Sequence, residues 1–204
     1  MSISVKRIQK ELIDLTKNLN TEGFKLETVE DKVNKLRGEI NGPIGSPYEG
    51  GTFKLEFEIP DSYPFSPPNV KFLTNIWHPN VSSVTGTICL DTLKENWSAA
   101  FSLRTVMLSI QALMSAPGLK NPQDAVVASM YINNYNLFQR TASYWAHKYA
   151  GAGQTQENMF DDTVRKVVEM GFSVEHALQV LSNKNWDVKA ATAELMSRQL
   201  KDTI

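Results

Sequence analysis

Apolar residues recur every three or four positions at the start of the chain, at Val5, Ile8, Leu12, Leu15 and Leu19, with Lys6, Arg7, Lys10, Glu11 and Asp14 between them. That period places an apolar stripe on one face, so an amphipathic helix is predicted, ending before Asn20 or Gly23, both weak helix formers. The pattern then changes to alternation. Phe24 to Glu27 and Lys35 to Ile40 alternate weakly, and Asn41-Gly42-Pro43 supplies turn chemistry. Phe53 to Ile59 alternates strictly, which predicts a half-buried strand with Phe53, Leu55, Phe57 and Ile59 inward. In Tyr63-Pro64-Phe65-Ser66-Pro67-Pro68, three prolines in five residues remove backbone donors and forbid both helix and central strand. Val70 to Leu73 resumes the sheet.

Helical spacing returns at Leu103, Val106, Met107, Ile110, Leu113 and Met114, with Ser102 as the cap and Pro117-Gly118 as the stop. Two further helices are predicted over Gln123 to Tyr131 and Leu137 to Tyr149, the second with Phe138, Tyr144 and Trp145 as core. The stretch from Ala150 to Asn158 is small and polar without apolar period, which predicts a linker over 150–159. Three short helical patterns follow, carried by Val164, Val167 and Val168, by Val174, Ala177, Leu178 and Leu181, and by Val188, Ala191 and Leu195. Asp162, Ser173 and Asp187 are their candidate caps. A three-helix bundle of about 40 residues results, near the lower limit for a domain without metal or disulfide. The expected division is a main domain over 1–149, the linker, and a small all-α domain over 160–204. The linker, if flexible, spans on the order of 5–6 Å × √n and acts as a tether of near-millimolar effective concentration.

Composition excludes several classes. Of 204 residues, 42% are apolar and 21% charged, so the chain is globular rather than disordered. A net charge of -1, with Lys and Arg interspersed among acidic residues, leaves no electrostatic footprint for nucleic acid or a membrane surface. One cysteine makes no internal disulfide, which fits a reducing compartment; the polar start and the absence of a long apolar run add to an expectation of a cytoplasmic protein, also nuclear. Three histidines and one cysteine without close ligand spacing give no metal site.

The cysteine carries the candidate chemistry. Cys89 follows Asn80 by nine residues, through His78-Pro79-Asn80 and a Gly86-bearing loop. A thiolate can hold an acyl group as a thioester, and an asparagine amide can donate to an oxyanion without titrating. A cysteine between Ile88 and Leu90 also suits a small buried hydrophobe. A cysteine hydrolase would need His78, His147 or His176 beside the thiol with a further orienting group.

Taken in order, Tyr63-Pro64-Phe65-Ser66-Pro67-Pro68, His78-Pro79-Asn80, Cys89-Leu90-Asp91 and Trp97, followed by a helical half, resemble the ubiquitin-conjugating enzymes over about residues 3–150. Met170-Gly171-Phe172, Trp186-Asp187 and Leu195-Met196 resemble a ubiquitin-associated domain. That tandem, and the loop from Val81 to Gly86, are most similar to the 25-kilodalton class of conjugating enzymes. The resemblance implies an α+β core: an N-terminal helix, a four-stranded antiparallel sheet, the cysteine on an irregular segment, then helices, with the all-α bundle beyond. It implies that Cys89 takes ubiquitin from the activating enzyme and passes it to a lysine, building polyubiquitin chains, lysine-48-linked as is typical of the class. No cofactor is bound, since the activating enzyme spends the ATP. The implied partners are ubiquitin, the activating enzyme and ubiquitin ligases, and a monomer is expected.

The resemblance also assigns roles by position. Asn80 supports the oxyanion or braces its loop, while Asp91 and Asn121 form the acceptor-lysine environment, with an Asx-type turn as the alternative for Asp91. Many relatives have aspartate where Asn121 precedes Pro122, and proline where Ala99 stands. Phe65 and Ala99 match the ligase surface, although an aromatic between prolines is otherwise commonly core. Lys6, Arg7 and Lys10 match the helix face used for the activating enzyme, against the alternative of a solvated basic stripe. Met170, Gly171, Phe172 and Leu195 match the patch by which ubiquitin-associated domains hold ubiquitin, though part of it must be core in so small a bundle. His78 is expected to be structural, a neutral imidazole satisfied by backbone. Two alternatives remain: a catalytically silent ubiquitin-binding adapter, and a conjugating enzyme for a ubiquitin-like modifier.

Overall fold

The computed structural model describes residues 3–16, 23–30, 32–153 and 158–202. Helix α1 (Ile3–Thr16), with Ile8 and Leu15 buried, packs against strands β1 (Phe24–Val29) and β2 (Lys32–Asn41), which with β3 (Thr52–Glu58) and β4 (Asn69–Phe72) form an antiparallel sheet in the order β1-β2-β3-β4. Leu19, assigned to the first helix by its spacing, lies outside the described residues. The strict alternation of β3 is realised: Phe53, Leu55 and Phe57 are buried and pair with Ile40, Gly38 and Leu36 of β2. Period-2 burial on one face fixes that register, because a one-residue slip would turn all three into solvent.

An irregular stretch from Leu73 to Ser102 carries the chain off β4 and across the core. Gly86 turns it sharply, with φ of +72° and a Cβ position only 2.0 Å from the Phe72 carbonyl oxygen, so a side chain there would collide with the sheet. Helix α2 (Leu103–Ser115) starts where expected, the Ser102 hydroxyl accepting from Thr105 N at 3.3 Å, and buries Val106, Met107 and Ile110. Helix α3 (Ala125–Asn133) begins two residues after the predicted start, since Asp124 caps it through Val126 N and Val127 N. Helix α4 (Tyr135–Ala150) is capped by Asn134 and ends at a left-handed Gly151.

The last three helices, α5 (Asn158–Val168), α6 (Val174–Asn183) and α7 (Val188–Asp202), form the expected bundle. Ser173 caps α6 and Asp187 accepts from Ala190 N at the start of α7. Asp162 is not a cap. It lies inside α5, where it pairs with Arg165, because the helix starts at Asn158 to bring Phe160 inward. The predicted linker is thereby shortened at both ends, α4 reaching Ala150 and α5 starting at Asn158, and residues 154–157 lie outside the described residues.

The bundle is docked on α4 rather than free on a tether. Phe160 and Trp186 stack with ring centroids 3.8 Å apart, and Tyr144 of α4 meets both edge-on. Polar groups lock the seam: Trp145 Nε1 donates to Ser182 Oγ at 2.9 Å, Trp186 Nε1 to Thr141 Oγ1 at 2.9 Å, and Tyr144 OH to Asp161 at 2.8 Å. Lys148 pairs with the same carboxylate at 2.7 Å, and these contacts hold Asp161 below its ordinary pKa. Indole donors with partners, Trp145 buried and Trp186 half-buried, make the seam specific as well as apolar. Gln179 of α6 also reaches Ser83 Oγ at 3.0 Å, on the loop that precedes Cys89.

Candidate functional site

His78-Pro79-Asn80 organises the ground under Cys89, and each residue does so with a different group. His78 is fully buried; Asn80 N donates to its Nδ1 at 3.0 Å, so Nε2 carries the proton and donates to Leu113 O at 2.9 Å. Pro79 O accepts from Gln123 N and Asp124 N, fixing the start of α3. The Asn80 side chain closes a two-way clamp on Gly118, donating Nδ2 to its carbonyl at 2.7 Å and accepting its N–H at 2.8 Å. Three separated segments are therefore tied to one tripeptide.

Burial drives the His78 pKa from 6.5 down to about 4, so the imidazole is neutral in the fold as expected. The unfolded chain binds the proton below pH 6.5 and the folded protein does not until about pH 4, so stability falls as pH drops through this window. This group alone is expected to remove about 2 kcal/mol between pH 7.5 and 5. Urea denaturation at the two pH values checks it, with His78→Gln flattening the slope.

Cys89 N donates to Asn80 O at 2.8 Å, which sets the thiol beside the clamp. The residue is half-buried and opens on a cavity of about 270 Å³ shared with Asn80, Asp91, Leu119, Lys120 and Asn121. The structure thus brings together Cys89, Asn80, Asp91 and Asn121. Asp91 starts a short 3-10 turn (Asp91–Leu93), and its backbone carbonyl accepts from Lys94 N and Asn96 N. Among the described residues no histidine lines this cavity, so no base of the hydrolase kind stands by the thiol. One neighbour escaped the sequence reading: Lys94 Nζ lies 3.3 Å from Cys89 Sγ. The signal lay in the tight turn after Asp91, which spacing alone does not reveal.

Outside the cavity, two of the expected contact residues are less accessible than their neighbours. Arg7 does not stand free beside Lys6 and Lys10: it is half-buried, pairs with Glu11 and donates to Phe101 O at 3.1 Å, and the bond to Glu11 raises its pKa. Lys6 and Lys10 are exposed. Leu195 is buried inside the bundle. It is 5% exposed, one residue out of phase with Met196 at 51%, while Met170 is 53% exposed and Phe172 half-buried. Gly171 takes φ of +96°, a left-handed turn that glycine adopts freely between α5 and α6.

Phe65 is 79% exposed, against the core reading of an aromatic between prolines. Ala99 is half-buried nearby in chain with Trp97, whose Nε1 donates to Pro64 O at 2.9 Å and whose ring lies 6.1 Å from that of Tyr63. The indole thus anchors the proline-rich loop and leaves Phe65 outward. Among the described residues there is no cluster of metal-ligating side chains and no helix long and apolar enough to cross a membrane.

A four-stranded meander under flanking helices, with one accessible thiol on the irregular segment between sheet and α2, is the α+β architecture of a conjugating enzyme. The family profile described as "Ubiquitin-conjugating enzyme" matches residues 7–146. The chain belongs to the ubiquitin-conjugating enzyme family and is a ubiquitin-conjugating transferase. It is 48% identical over 198 residues to ubiquitin-conjugating enzyme E2 K of Homo sapiens, covering 96% of this chain and 98% of that one. Ubiquitin-conjugating enzyme E2-22 kDa of Drosophila melanogaster is 46% identical, with 96% and 99% covered. Of solved structures, a putative ubiquitin conjugating enzyme from Plasmodium yoelii superposes with a TM-score of 0.70 at 49% identity, covering 76% of this chain and 99% of that one. The E2 domain of a Toxoplasma gondii ubiquitin conjugating enzyme gives 0.67 at 48% identity, covering 71% and 98%.

Proposed function

We propose that Cys89 receives the ubiquitin C-terminal acyl group from the activating enzyme as a thioester and passes it to a lysine amine of a substrate or of ubiquitin, building lysine-48-linked chains. The observation that carries this reading is the half-buried thiol opening on a cavity whose floor is clamped by Asn80. Exchange between two thioesters is nearly neutral in energy and needs no base to hold the sulfur, whereas amide formation is downhill. In the second step the amine lone pair attacks the acyl carbon, the C–S bond breaks, and the nitrogen sheds a proton. Asn80 keeps one Nδ2 hydrogen beyond its bond to Gly118, and that hydrogen serves the oxyanion.

The three-helix bundle is the ubiquitin-associated domain in this reading, with Met170, Phe172 and Met196 as the exposed apolar side chains that meet ubiquitin. Phe65 and the Ala99 loop face the ligase, and Lys6 and Lys10 the activating enzyme. The protein works in the cytoplasm and nucleus.

The deciding experiment incubates the chain with activating enzyme, ATP and ubiquitin, with and without reductant. A band one ubiquitin heavier that reductant abolishes, mapped to Cys89, supports the reading. Its absence indicates a silent adapter, and loading only of another modifier changes the cargo.

Asn121 is exposed on the rim of the cavity, where it offers an attacking lysine no negative charge. A carboxylate there would stabilise the positive charge that develops on the nitrogen, by about 1 kcal/mol at a solvent-facing site. Asn121→Asp is therefore expected to speed discharge to free lysine about five-fold, read as decay of the thioester; an unchanged rate would overturn that role.

A further inference from the structure

One hydroxyl in the wall of the Cys89 cavity has nothing to bond. Thr92 stands three residues after the thiol, in the middle of the 3-10 turn Asp91–Leu93, and lines the cavity with Asn80, Asp91 and Asn121. The residue is half-buried, yet its Oγ1 is closed off from solvent and, among the described residues, meets no hydrogen-bond partner. The turn is held by backbone: Leu93 N donates to Leu90 O, and Lys94 N and Asn96 N to Asp91 O, so the hydroxyl contributes nothing to it. Burying a hydroxyl without a partner is destabilising, and a valine of the same shape would avoid that cost. The charges around the thiol indicate which partner suits it. Lys94 Nζ lies beside Cys89 Sγ and Lys120 lines the cavity, while the cavity wall carries one carboxylate, Asp91, and the neutral Asn121. Two ammonium groups disfavour a third positive charge among them, so an arriving lysine is best taken up as the neutral amine, the form with a lone pair to give. A neutral amine needs an acceptor for its N–H rather than a counter-charge. Asn80 has its side-chain carbonyl committed to the Gly118 N–H. Rotation about χ1 to another staggered well moves the threonine oxygen to a new position on Cβ, a small motion in a residue that forms part of the cavity wall.

We infer that the Thr92 hydroxyl orients the acceptor: it accepts an N–H of the attacking lysine amine, which aims the nitrogen lone pair at the acyl carbon held on Cys89. This rests on the thioester reading above. The threonine forms no covalent bond. As the C–N bond forms and the C–S bond breaks, Cys89 leaves as thiolate and the proton lost by nitrogen goes to the thiolate or to water. The unpaired oxygen of the resting enzyme is thus satisfied only when an amine occupies the site, which accounts for a buried hydroxyl that stabilises nothing in the fold.

The test is single-turnover discharge by the full-length chain. The native protein, Thr92→Val and Thr92→Ser are each loaded with ubiquitin, the activating enzyme is stopped by removing magnesium, and decay of the reductant-sensitive band is followed with and without free lysine. Urea midpoints are measured on the unloaded proteins. Thr92→Val is expected to load as the native chain does and to discharge to lysine about three- to ten-fold more slowly, the worth of one neutral hydrogen bond. Its hydrolysis by water in the absence of lysine is expected to stay native, and its urea midpoint to be no lower than native. Thr92→Ser, which keeps the oxygen, is expected to keep native discharge. Native discharge in Thr92→Val, a Thr92→Ser as slow as Thr92→Val, an equal loss in hydrolysis, or a lowered midpoint in Thr92→Val each overturns the inference while leaving the thioester reading intact. No reductant-sensitive band in the native chain overturns both.

Discussion

Asn80→Ala is expected to slow discharge of the loaded enzyme to free lysine by about 10²–10³, while loading from the activating enzyme stays within a few-fold of native. Two losses combine at this position. The amide clamp on Gly118 disappears, and with it the tie that holds the Leu119 to Asn121 rim across the cavity from Cys89. The remaining Nδ2 hydrogen, which would meet the oxyanion, disappears as well. Amine attack needs both, since an uncharged nucleophile must be oriented and the carbonyl must be polarised. Thioester exchange depends on them less, because a thiolate attacks a thioester with little help. Discharge to hydroxylamine separates the contributions: it is too small to need the rim, so a fall equal to that for lysine assigns the loss to the oxyanion. Equal damage to loading and discharge would show that Asn80 only holds the fold. A second check is stability, where the loss of one clamp should cost about 1–3 kcal/mol.

The clamp is one of three attachments made by His78-Pro79-Asn80, and their chemistry explains why the tripeptide is rigid. Each uses backbone as the partner: Leu113 O at the end of α2, Gln123 N and Asp124 N before α3, and both polar groups of Gly118. Backbone partners do not rotate away as side chains do, so the thiol is aimed by three segments at once. Asp124 extends the same web: it caps α3, accepts from Ser83 Oγ at 2.6 Å, and through Ser83 meets Gln179 of the bundle. The loop before Cys89 is thus in hydrogen-bonded continuity with α6.

What the sequence disclosed follows from the range of each interaction. The inward face of β3, the cap at Ser102 and the Pro117-Gly118 stop depend on neighbours within a few residues, and local pattern carries them. The pairing of Cys89 with Asn80 was legible because the link is one short loop. Leu195 and Met196 show the limit of spacing: one residue turns a helix by about 100°, so a motif match cannot say which of two adjacent apolar side chains is core. The start of α5 was misplaced because Asp162 is a good cap by type, whereas the aromatic stack of Phe160 on Trp186, made through tertiary packing, decides where the helix begins. Lys94 and Glu11 were missed for a related reason. Their partners become neighbours only after the chain has turned or folded over them.

Glu11→Ala is the second large effect, expected to cost about 3 kcal/mol of stability. Glu11 is a charged residue in α1, three positions after Ile8 and four before Leu15, and it is buried with them, 8% exposed. One carboxylate oxygen accepts from Tyr63 OH at 2.8 Å and from Leu103 N at 2.8 Å, and the other pairs with Arg7. Leu103 is the first residue of α2, so the charge also sits at the positive end of that helix. Alanine would leave a buried phenol and an N–H unpaired and a half-buried guanidinium without its carboxylate, which together cost more than any one bond is worth. Glu11→Gln keeps an acceptor for Tyr63 and is expected to recover about half of the loss. Arg7→Ala should cost about 1 kcal/mol or less, because a pair with one partner about a third exposed is screened by water. Urea midpoints at constant m-value measure all three, and a loss under about 1 kcal/mol for Glu11→Ala would refute the network. The consequence reaches function through geometry. Tyr63 packs on Trp97, Trp97 anchors Pro64, and Phe65 is carried outward by that loop. Arg7 holds Phe101 O on the other side of the Trp97 to Phe101 segment, so one buried carboxylate couples α1, the proline-rich loop and the start of α2 into a single rigid surface.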